Sequence, residues 1–395
     1  MRSESELIEE LSAIGYLAGS AAAGPTQGVV LHDAARSAPG FNLITSGHGP
    51  VAVLMRMDGT VVHEWTVPFD RVFPDHPRSK RSREARRNFW RDVILFPNGD
   101  LVVIWELFGI FKLDRDSNIL WAVPEPAHHD LQLTGTGEIV HLQAERKMIP
   151  GIPDRPAIED FIITRDGEGR ELRRVALSRA LENVNWLKLR RKFWQRAGER
   201  DYGLSENSAY DPFHTNSLRL LSQADASKLG RLFKAGDALV SMGTLDTVAI
   251  LDLEEGVTRW SQQGPFGMQH SARLSPRGEI LLFNNFVTPT LSSAMALDPR
   301  TREVTWEFRG VDSRPLHSRR SGGVQLLGNG NVLIAETDGG RGLEVTREGE
   351  VVWEFHSPYR VGEAEEKVAH LYSLKRIEEG FPLWLQSEEG PHSKE

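Results

Sequence analysis

A repeated pattern constrains the fold of this 395-residue chain more than any other feature of its sequence. Each copy contains two short apolar strands joined by a glycine-containing turn, and most copies continue to a strand that ends near a tryptophan. Glycine tolerates the positive φ that tight hairpin turns require, so the paired strands are predicted to be antiparallel neighbours. The copies lie at residues 54–65, 93–123, 131–175, 239–260, 272–308 and 324–355.

The spacing of the tryptophans indicates the size of the repeating unit. Trp260, Trp306 and Trp353 are separated by 46 and 47 residues, close to the roughly 40–50 residues of a four-stranded propeller blade. About six such blades fit the chain. The sequence therefore predicts an all-β fold, a six-bladed β-propeller of four-stranded antiparallel blades over residues 29–395. Evenly spaced hairpins also occur in β-sandwiches, but the period favours the propeller.

Three segments interrupt the repeat. Apolar residues at helical spacing in 4–18 predict a short helix within an N-terminal segment, residues 1–28. Two basic segments that contain aromatic residues predict insertions near 76–91 and 178–210, and the second contains enough helix formers to form a helix over 182–200. A solvated basic face explains both insertions, as does a lid that attracts an anionic substrate or an RNA-binding surface. The acidic balance of the chain favours the lid over RNA.

Composition excludes several classes of function. The absence of cysteine excludes disulfides, thiolate metal sites and cysteine nucleophiles. A formal net charge of −8 argues against a nucleic-acid partner. No apolar run is long enough to predict a transmembrane segment, and the acidic N-terminus does not resemble a signal peptide, so we expect a cytoplasmic location by default. No sequence feature predicts the oligomeric state.

Histidines recur at one position of the repeat. The first strands of the copies can be aligned on their turn glycines, Gly99, Gly137, Gly278 and Gly330. The position eight residues before these glycines is occupied by Arg91, His129, His270 and Gly322. The segment FHTNSLRLL aligns with QHSARLS and places His214 in register with His270. Equivalent positions on the innermost strands of a propeller lie at one height around the central channel, so these side chains are predicted to converge.

Convergent histidines support two kinds of chemistry. Three imidazoles could hold zinc or copper with one open coordination position. Alternatively, one neutral imidazole could attack a sulfuryl or phosphoryl centre while the others donate hydrogen bonds to the developing negative oxygens. Asn216 lies two residues after His214, on the same strand face, and is a further candidate donor. Each histidine alone could equally form a structural hydrogen bond to a neighbouring blade.

Four segments resemble the motifs of bacterial arylsulfotransferases, the PAPS-independent aryl-sulfate sulfotransferase family. The resemblance extends from about residue 29 over most of the chain. It implies a six-bladed propeller whose channel takes an aryl sulfate donor, passes the sulfuryl group to a histidine and then to a phenolic acceptor, without a soluble cofactor. The segments are GFNLITSGHGPVAVLMRMDGTVVHEW (40–65), HHDLQLTGTGEIV (128–140), DPFHTNSLRLL (211–221) and QHSARLSPRGEILLFNN (269–285).

The resemblance also implies roles for individual residues. The nucleophile of the family falls on His270, and its sulfuryl-binding histidines fall on His129 and His214, with Asn216 as a further donor. His128 is the alternative at the first of these positions, although the register of the repeat favours His129. Attack on sulfur requires a neutral imidazole, so with the ordinary histidine pKa of about 6.5 we expect the rate to fall as the pH falls through that value.

One position departs from the family pattern. The arginine that neutralises the sulfate in the family falls near residues 241–246, where this chain has Gly243. Arg91, in register with the histidines, or Arg319 and Arg320, beside the sixth inner strand, are the candidate replacements. This departure leaves two alternatives to a sulfotransferase, a non-catalytic propeller that binds a ligand or protein and an enzyme with a metal held by the histidines.

Overall fold

The computed structural model describes residues 18–76, 88–152, 156–200, 210–311 and 313–388. The predicted helix at 4–18 and most of the basic segment 76–91 lie outside these described residues. Strands dominate the described chain. The helices are Phe69–Val72, Leu177–Ala180, Trp186–Arg200, Gln223–Leu229 and Leu383–Glu388, with a 3-10 turn at Gly243–Leu245. None of the described helices is both long enough and apolar enough to cross a bilayer.

The described residues form six antiparallel sheets of four or five strands, which we number first to sixth in chain order. Each sheet is given below from its innermost strand outward. The first contains Leu371–Ile377, Phe41–Ser46, Val51–Met55 and Val61–Thr66, and the second contains Trp90–Leu95, Leu101–Trp105, Gly109–Leu113 and Ile119–Pro124. The third contains Ala127–Leu133, Ile139–Lys147, Ala157–Arg165 and Glu171–Ala176.

The fourth, fifth and sixth sheets follow the same order along the chain. The fourth contains Thr215–Leu220, Ala238–Met242, Thr247–Asp252 and Val257–Gln263. The fifth contains His270–Leu274, Ile280–Thr288, Leu291–Leu297 and Val304–Phe308. The sixth contains Gly323–Leu326, Val332–Glu336, Arg341–Val345, Val351–His356 and, outermost, Gly28–His32. Shorter strands pair as Gly19–Ala22, Lys367–Ala369 and Arg360–Val361, and as Gly310–Val311 with Arg314–Pro315.

The innermost strands of the six sheets contact one another in a closed ring. The contacts run from the second sheet through the third, fourth, fifth and sixth, and the innermost strand of the first sheet touches those of the sixth and the second. Sheets arranged radially around a central channel form a β-propeller. The all-β propeller predicted from the repeat is therefore confirmed, with a channel bounded by the strands that carry the aligned positions.

Both ends of the described chain contribute to the closure of the ring. The C-terminal strand Leu371–Ile377 pairs antiparallel with Phe41–Ser46 and supplies the innermost strand of the first sheet. The N-terminal strand Gly28–His32 pairs with Val351–His356 on the outside of the sixth sheet. Segments more than 300 residues apart in sequence thus complete two neighbouring sheets.

Tryptophans on the fourth strands tie neighbouring sheets together, which explains their period in the sequence. Apolar clusters fill the space between adjacent sheets, and indole rings extend from the fourth strands into the neighbouring sheets. Each of four indole N–H groups donates to a turn carbonyl of the next sheet, which satisfies the one polar atom of the ring. The bonds join Trp65 to Gly99, Trp121 to Gly167, Trp306 to Arg347 and Trp353 to Met57 over 2.9–3.0 Å.

The helix Trp186–Arg200 lies in the connection between the third and fourth sheets, within the predicted insertion 178–210. The side chain of Phe193 is fully buried and packs against Met268 and Phe286. The helix also contacts the turn Gly243–Leu245. The inserted helix is therefore anchored beside the segment that leads into the innermost strand of the fifth sheet.

Candidate active site in the central channel

A cavity of about 380 Å³ occupies the channel, and all six innermost strands or the residues that precede them contribute to its wall. This volume lies within the range of small-molecule sites. Its lining includes Arg91, His129, Asn216 and His270, which the sequence placed in the site. His214 lines a smaller adjoining space together with His129. The fold therefore brings residues of four separate sheets to one place.

The three histidines form one buried cluster. The ring centroids of His129 and His214 are 5.1 Å apart, and those of His270 lie 6.2 Å from His129 and 6.3 Å from His214. One nitrogen of each ring lies within 4.8 Å of one nitrogen of each of the others. All three side chains are almost completely buried. The convergence expected from the repeat is thus present in the structure.

Local backbone irregularities aim these side chains into the channel. The ladder between the first two strands shifts register next to each histidine, between His128 and Leu131, between Thr215 and Ser217, and between His270 and Arg273. His129 and His214 also have positive φ values, 58° and 45°. Bulges re-aim side chains near active sites, and left-handed non-glycine residues concentrate at functional sites because folding must compensate their strain.

The two ring nitrogens of His270 have different surroundings. Its Nδ1 lies 2.9 Å from Asn285 Oδ1 and 3.0 Å from the Met268 carbonyl oxygen. The amide orientation of Asn285 is set by its Nδ2, which donates to the carbonyl oxygens of Ser318 and Ser321. Because Nδ1 faces two acceptors, it carries the proton. The other nitrogen, Nε2, is buried and has no hydrogen-bond partner among the described residues, so its lone pair is available to a ligand.

Burial keeps His270 neutral over a wider pH range than the ordinary histidine pKa predicts. Burial, reinforced by the positive charges of His214 and Arg91, lowers the pKa of His270 to about 3. The expected value near 6.5 is therefore wrong for this side chain, because the channel removes the water that stabilises an imidazolium. Burial likewise lowers the pKa of His129 well below its ordinary value.

His214 has the opposite electrostatic character. Its Nδ1 lies 2.6 Å from Asp211 Oδ2, and its backbone N–H donates to Asp211 Oδ1 over 2.9 Å. Burial opposes protonation of the ring, but the charge and the hydrogen bond of Asp211 outweigh it and raise the pKa of His214. The cluster therefore combines two neutral imidazoles with one that readily carries a positive charge.

His128 lies behind His129. The Nδ1 atoms of the two rings are 2.8 Å apart, so one donates to the other. His128 Nε2 lies 3.3 Å from Asp160 Oδ1, and the backbone N–H of His129 donates to Glu106 Oε2 over 3.2 Å. Of the two adjacent histidines, His129 faces the large cavity, whereas His128 contacts the Asp160 carboxylate.

Arg91 is the arginine that the structure brings to the cluster. Its side chain is buried, its Nη2 donates to Ser321 Oγ over 3.0 Å, and its Nε lies 3.8 Å from Glu106 Oε2. Its guanidinium also lies 4.7 Å from the centre of the Tyr372 ring. Since it lowers the pKa of both His129 and His270, it contributes positive potential at the histidine end of the cavity.

The other residues near the predicted site have different positions. Gly243 lies against the cluster, since a Cβ there would come within 3.1 Å of Asn216 Nδ2 and 3.4 Å of His214 Cδ2. Arg319 is half-buried and lies 5.8 Å from the Phe286 ring, whereas Arg320 is exposed and does not line the cavity. Among the candidate replacements for the missing arginine, only Arg91 lines the cavity.

Sequence reasoning missed the partners of the histidines. Asn285, Asp211 and Glu106 each contact a predicted site residue. Asn285 and Asp211 both stand inside the motif segments 269–285 and 211–221, but neither belongs to the aligned position of the repeat. A search for all polar residues within the same motifs would have included both.

The sequence profile described as Arylsulfotransferase (ASST) matches residues 92–358, more than half of the chain. This chain belongs to the arylsulfotransferase (ASST) family. The matched span contains His129, His214, Asn216 and His270, and Arg91 immediately precedes it. No curated protein sequence matches the chain.

Several solved structures are similar to this family member at low sequence identity. A protein of unknown function from Bacteroides caccae is 13% identical, with a TM-score of 0.53 over 85% of this chain and 98% of that chain. A streptogramin B lyase is 10% identical, with a TM-score of 0.46 over 89% and 98%. The β-propeller domain of Cps50 from Myceliophteria thermophila is 11% identical, with a TM-score of 0.45 over 86% and 88%.

Proposed function

We propose that this protein transfers a sulfuryl group from an aryl sulfate to a phenolic acceptor through a covalent intermediate on His270. One observation supports the proposal above the others. His270 Nε2 is an unprotonated, buried nitrogen without a described partner, inside a cluster of three histidines in a member of the arylsulfotransferase family. A neutral imidazole is a competent nucleophile, and its activation requires no added cofactor.

The reaction proceeds in two displacements at sulfur. His270 Nε2 attacks the sulfur atom, the bond from sulfur to the aryl oxygen breaks, and the phenolate leaves with the bonding electron pair. The oxygen of the acceptor then attacks sulfur, and the electron pair of the S–N bond returns to Nε2. The acceptor hydroxyl releases one proton, which balances the proton taken up by the departing phenolate.

Positive charge and hydrogen-bond donors stabilise the sulfuryl oxygens during both displacements. Arg91 and protonated His214 supply the charge that Gly243 cannot supply. His129 and the second N–H of Asn216 are the candidate donors, since the first already donates to the Gln269 carbonyl oxygen over 2.8 Å. Preorganised donors in a water-poor site stabilise developing charge more strongly than water does.

The test measures release of 4-nitrophenol from 4-nitrophenyl sulfate with and without phenol as acceptor. Wild-type protein is expected to show release that the acceptor stimulates, and His270→Ala is expected to abolish it. His32→Ala is the matched control, because His32 is an exposed residue of the outermost strand of the sixth sheet. Mass spectrometry after incubation with donor alone should detect one added SO₃ group on wild-type protein and none on His270→Ala. Stimulated release that persists in His270→Ala would contradict the proposal.

A metal centre is the second candidate function, because the three histidines bring their nitrogens within 4.8 Å of one another. The Asp211 carboxylate on His214 Nδ1 is also the kind of support that metal-bound histidines receive. Arg91 beside the cluster acts against a divalent cation by charge repulsion. Activity that exhaustive chelation abolishes and added zinc restores would favour the metal centre, whereas activity that survives chelation favours sulfuryl transfer.

Absence of turnover has its own interpretation. A propeller that only binds a ligand or protein would release no 4-nitrophenol from any simple aryl sulfate and would form no covalent adduct. Saturable binding of phenyl sulfate without either signal would therefore favour a non-catalytic family member.

A further inference from the structure

The cavity continues beyond the histidines to a second group of charged side chains. Its wall includes Arg219, Arg273 and Lys375, together with the carboxylates of Asp92 and Asp130. Histidine-mediated transfer uses none of these residues. Their position on the wall of the same cavity means that a ligand held at the histidines can extend toward them.

The pairing within this group leaves an excess of positive charge. Asp130 is shared by two arginines, with Arg219 Nη1 3.1 Å from Oδ1 and Arg273 Nη1 3.1 Å from Oδ2. Lys375 Nζ lies 2.7 Å from Asp92 Oδ1. Of the five described side chains in this group, three are cations and two are carboxylates. One carboxylate therefore neutralises two guanidinium groups.

The excess charge faces the cavity. The side chains of Arg219 and Arg273 are 22% and 20% exposed, whereas that of Asp130 is only 4% exposed. The guanidinium groups are therefore more accessible to a ligand in the cavity than the carboxylate that they share. Burial, with the repulsion of Arg219, lowers the pKa of Arg273 to about 10, although the carboxylates of Asp130 and Asp92 oppose this shift.

The register places this group along the channel from the reacting atoms. Arg273 follows His270 by three residues on one innermost strand, and Arg219 follows Asn216 by three residues on the neighbouring one. Three residues of a strand advance roughly 10 Å, somewhat less through a bulge. A benzene ring with substituents at opposite ends is suited to this separation, with one substituent at the histidines and the other at the arginines.

We propose that Arg219 and Arg273 form an anion subsite that binds a second negatively charged substituent on the aryl group of the substrate. The preferred substrates are then aryl sulfates and phenols with a carboxylate or sulfonate para to the reacting oxygen. Guanidinium groups form charge-assisted hydrogen bonds with both kinds of anion. This inference rests on the proposed sulfuryl transfer, because that reaction sets the aryl group between the two sites.

The first test compares two acceptors of similar shape, the anionic 4-hydroxybenzoate and its uncharged methyl ester. Wild-type protein is expected to use 4-hydroxybenzoate with a kcat/KM at least about tenfold higher than that for the ester, which is the effect of losing one charge-assisted hydrogen bond. Arg273→Met should remove this preference, so that the ratio of the two kcat/KM values falls close to one. Asp130 would still bind Arg219 and the Leu218 N–H in this variant, so the carboxylate keeps its partners. The exposed Arg320 supplies the control, Arg320→Met.

The second test separates this inference from the proposed reaction. Calorimetry measures binding of 4-carboxyphenyl sulfate and phenyl sulfate to His270→Ala, which lacks the proposed nucleophile. The carboxylated compound is expected to bind at least about tenfold more tightly, and this preference should be lost when Arg273→Met is added. That result supports the subsite even if wild-type protein shows no turnover. Equal affinity for the two compounds, or a preference that survives Arg273→Met, overturns it. Turnover without a charge preference would retain the reaction and reject the subsite.

Discussion

Substitution of Asn285 by alanine tests whether the protein holds His270 in the tautomer that exposes Nε2. The substitution removes the acceptor that lies 2.9 Å from His270 Nδ1 and leaves the Met268 carbonyl oxygen at 3.0 Å. Of the two carbonyls that lose Asn285 Nδ2, that of Ser321 retains Ser318 Oγ as a donor, and that of Ser318 shares the Ser292 hydroxyl proton with the carbonyl oxygen of residue 285. The variant is therefore expected to fold.

The expected magnitude follows from the number of bonds lost at Nδ1. A neutral hydrogen bond contributes about 0.5–1.5 kcal/mol, and about 1.36 kcal/mol corresponds to a tenfold change in rate. Because Met268 still accepts the Nδ1 proton, the tautomer is retained but the ring is held less firmly. We expect kcat to fall by about 2–10-fold in Asn285→Ala, with an unchanged KM because Asn285 does not line the cavity.

The assay is release of 4-nitrophenol at saturating acceptor, with thermal unfolding measured in parallel to verify the fold. A kcat equal to that of wild-type protein would mean that Asn285 does not position His270. A loss as complete as that of His270→Ala, in a folded variant, would mean that Met268 alone cannot hold the tautomer. A rise in KM without a change in kcat would assign Asn285 to substrate binding. Each of these three results refutes the reasoning.

Three further predictions concern pH, charge and stability. Burial lowers the pKa of His270 to about 3, so this side chain stays neutral well below pH 7. The proposed reaction also needs a protonated His214, so kcat/KM should fall as the pH rises through the raised pKa of His214. In a pH–rate profile, Asp211→Asn should move this fall to lower pH. Arg91→Met should lower kcat/KM by about 100-fold or more, and a rate equal to that of Arg320→Met would exclude it as the catalytic cation. Trp353→Ala should lower the free energy of unfolding, measured by urea titration, by about 3–5 kcal/mol, because the ring is fully buried and its N–H donates to the Met57 carbonyl oxygen. A change below about 1 kcal/mol would contradict the inference that this residue holds the sixth and first sheets together.

The repeat was a strong guide to the fold because its signals are local. Alternation of apolar residues, glycine turns and the period of tryptophans all act within one sheet or between neighbours, and each was readable in the chain. The register of the repeat also predicts that His129, His214 and His270 converge, and their ring centroids lie 5.1–6.3 Å apart. The predicted N-terminal helix at 4–18 stays a prediction, since it lies outside the described residues.

Closure of the ring was not readable from the pattern. The strand Leu371–Ile377 has no turn that joins it to Phe41–Ser46, and the two segments meet only because the sixth sheet returns the chain to the first. The choice among Arg91, Arg319 and Arg320 likewise depended on which side chains line the cavity. A shift of one residue can move a side chain from a cavity wall to solvent, and here the exposed Arg320 immediately precedes Ser321, which lines the cavity.

The sequence by itself determined that this chain is a propeller of the arylsulfotransferase family and that three histidines meet in its channel. Only the tertiary structure decided what those histidines can do. Burial lowers the pKa of His270, Asn285 accepts the proton of its Nδ1, and Asp211 raises the pKa of His214 against the effect of burial. Strand pairing and turns follow from neighbouring residues, whereas desolvation and the hydrogen bonds that set protonation depend on groups that only folding brings together.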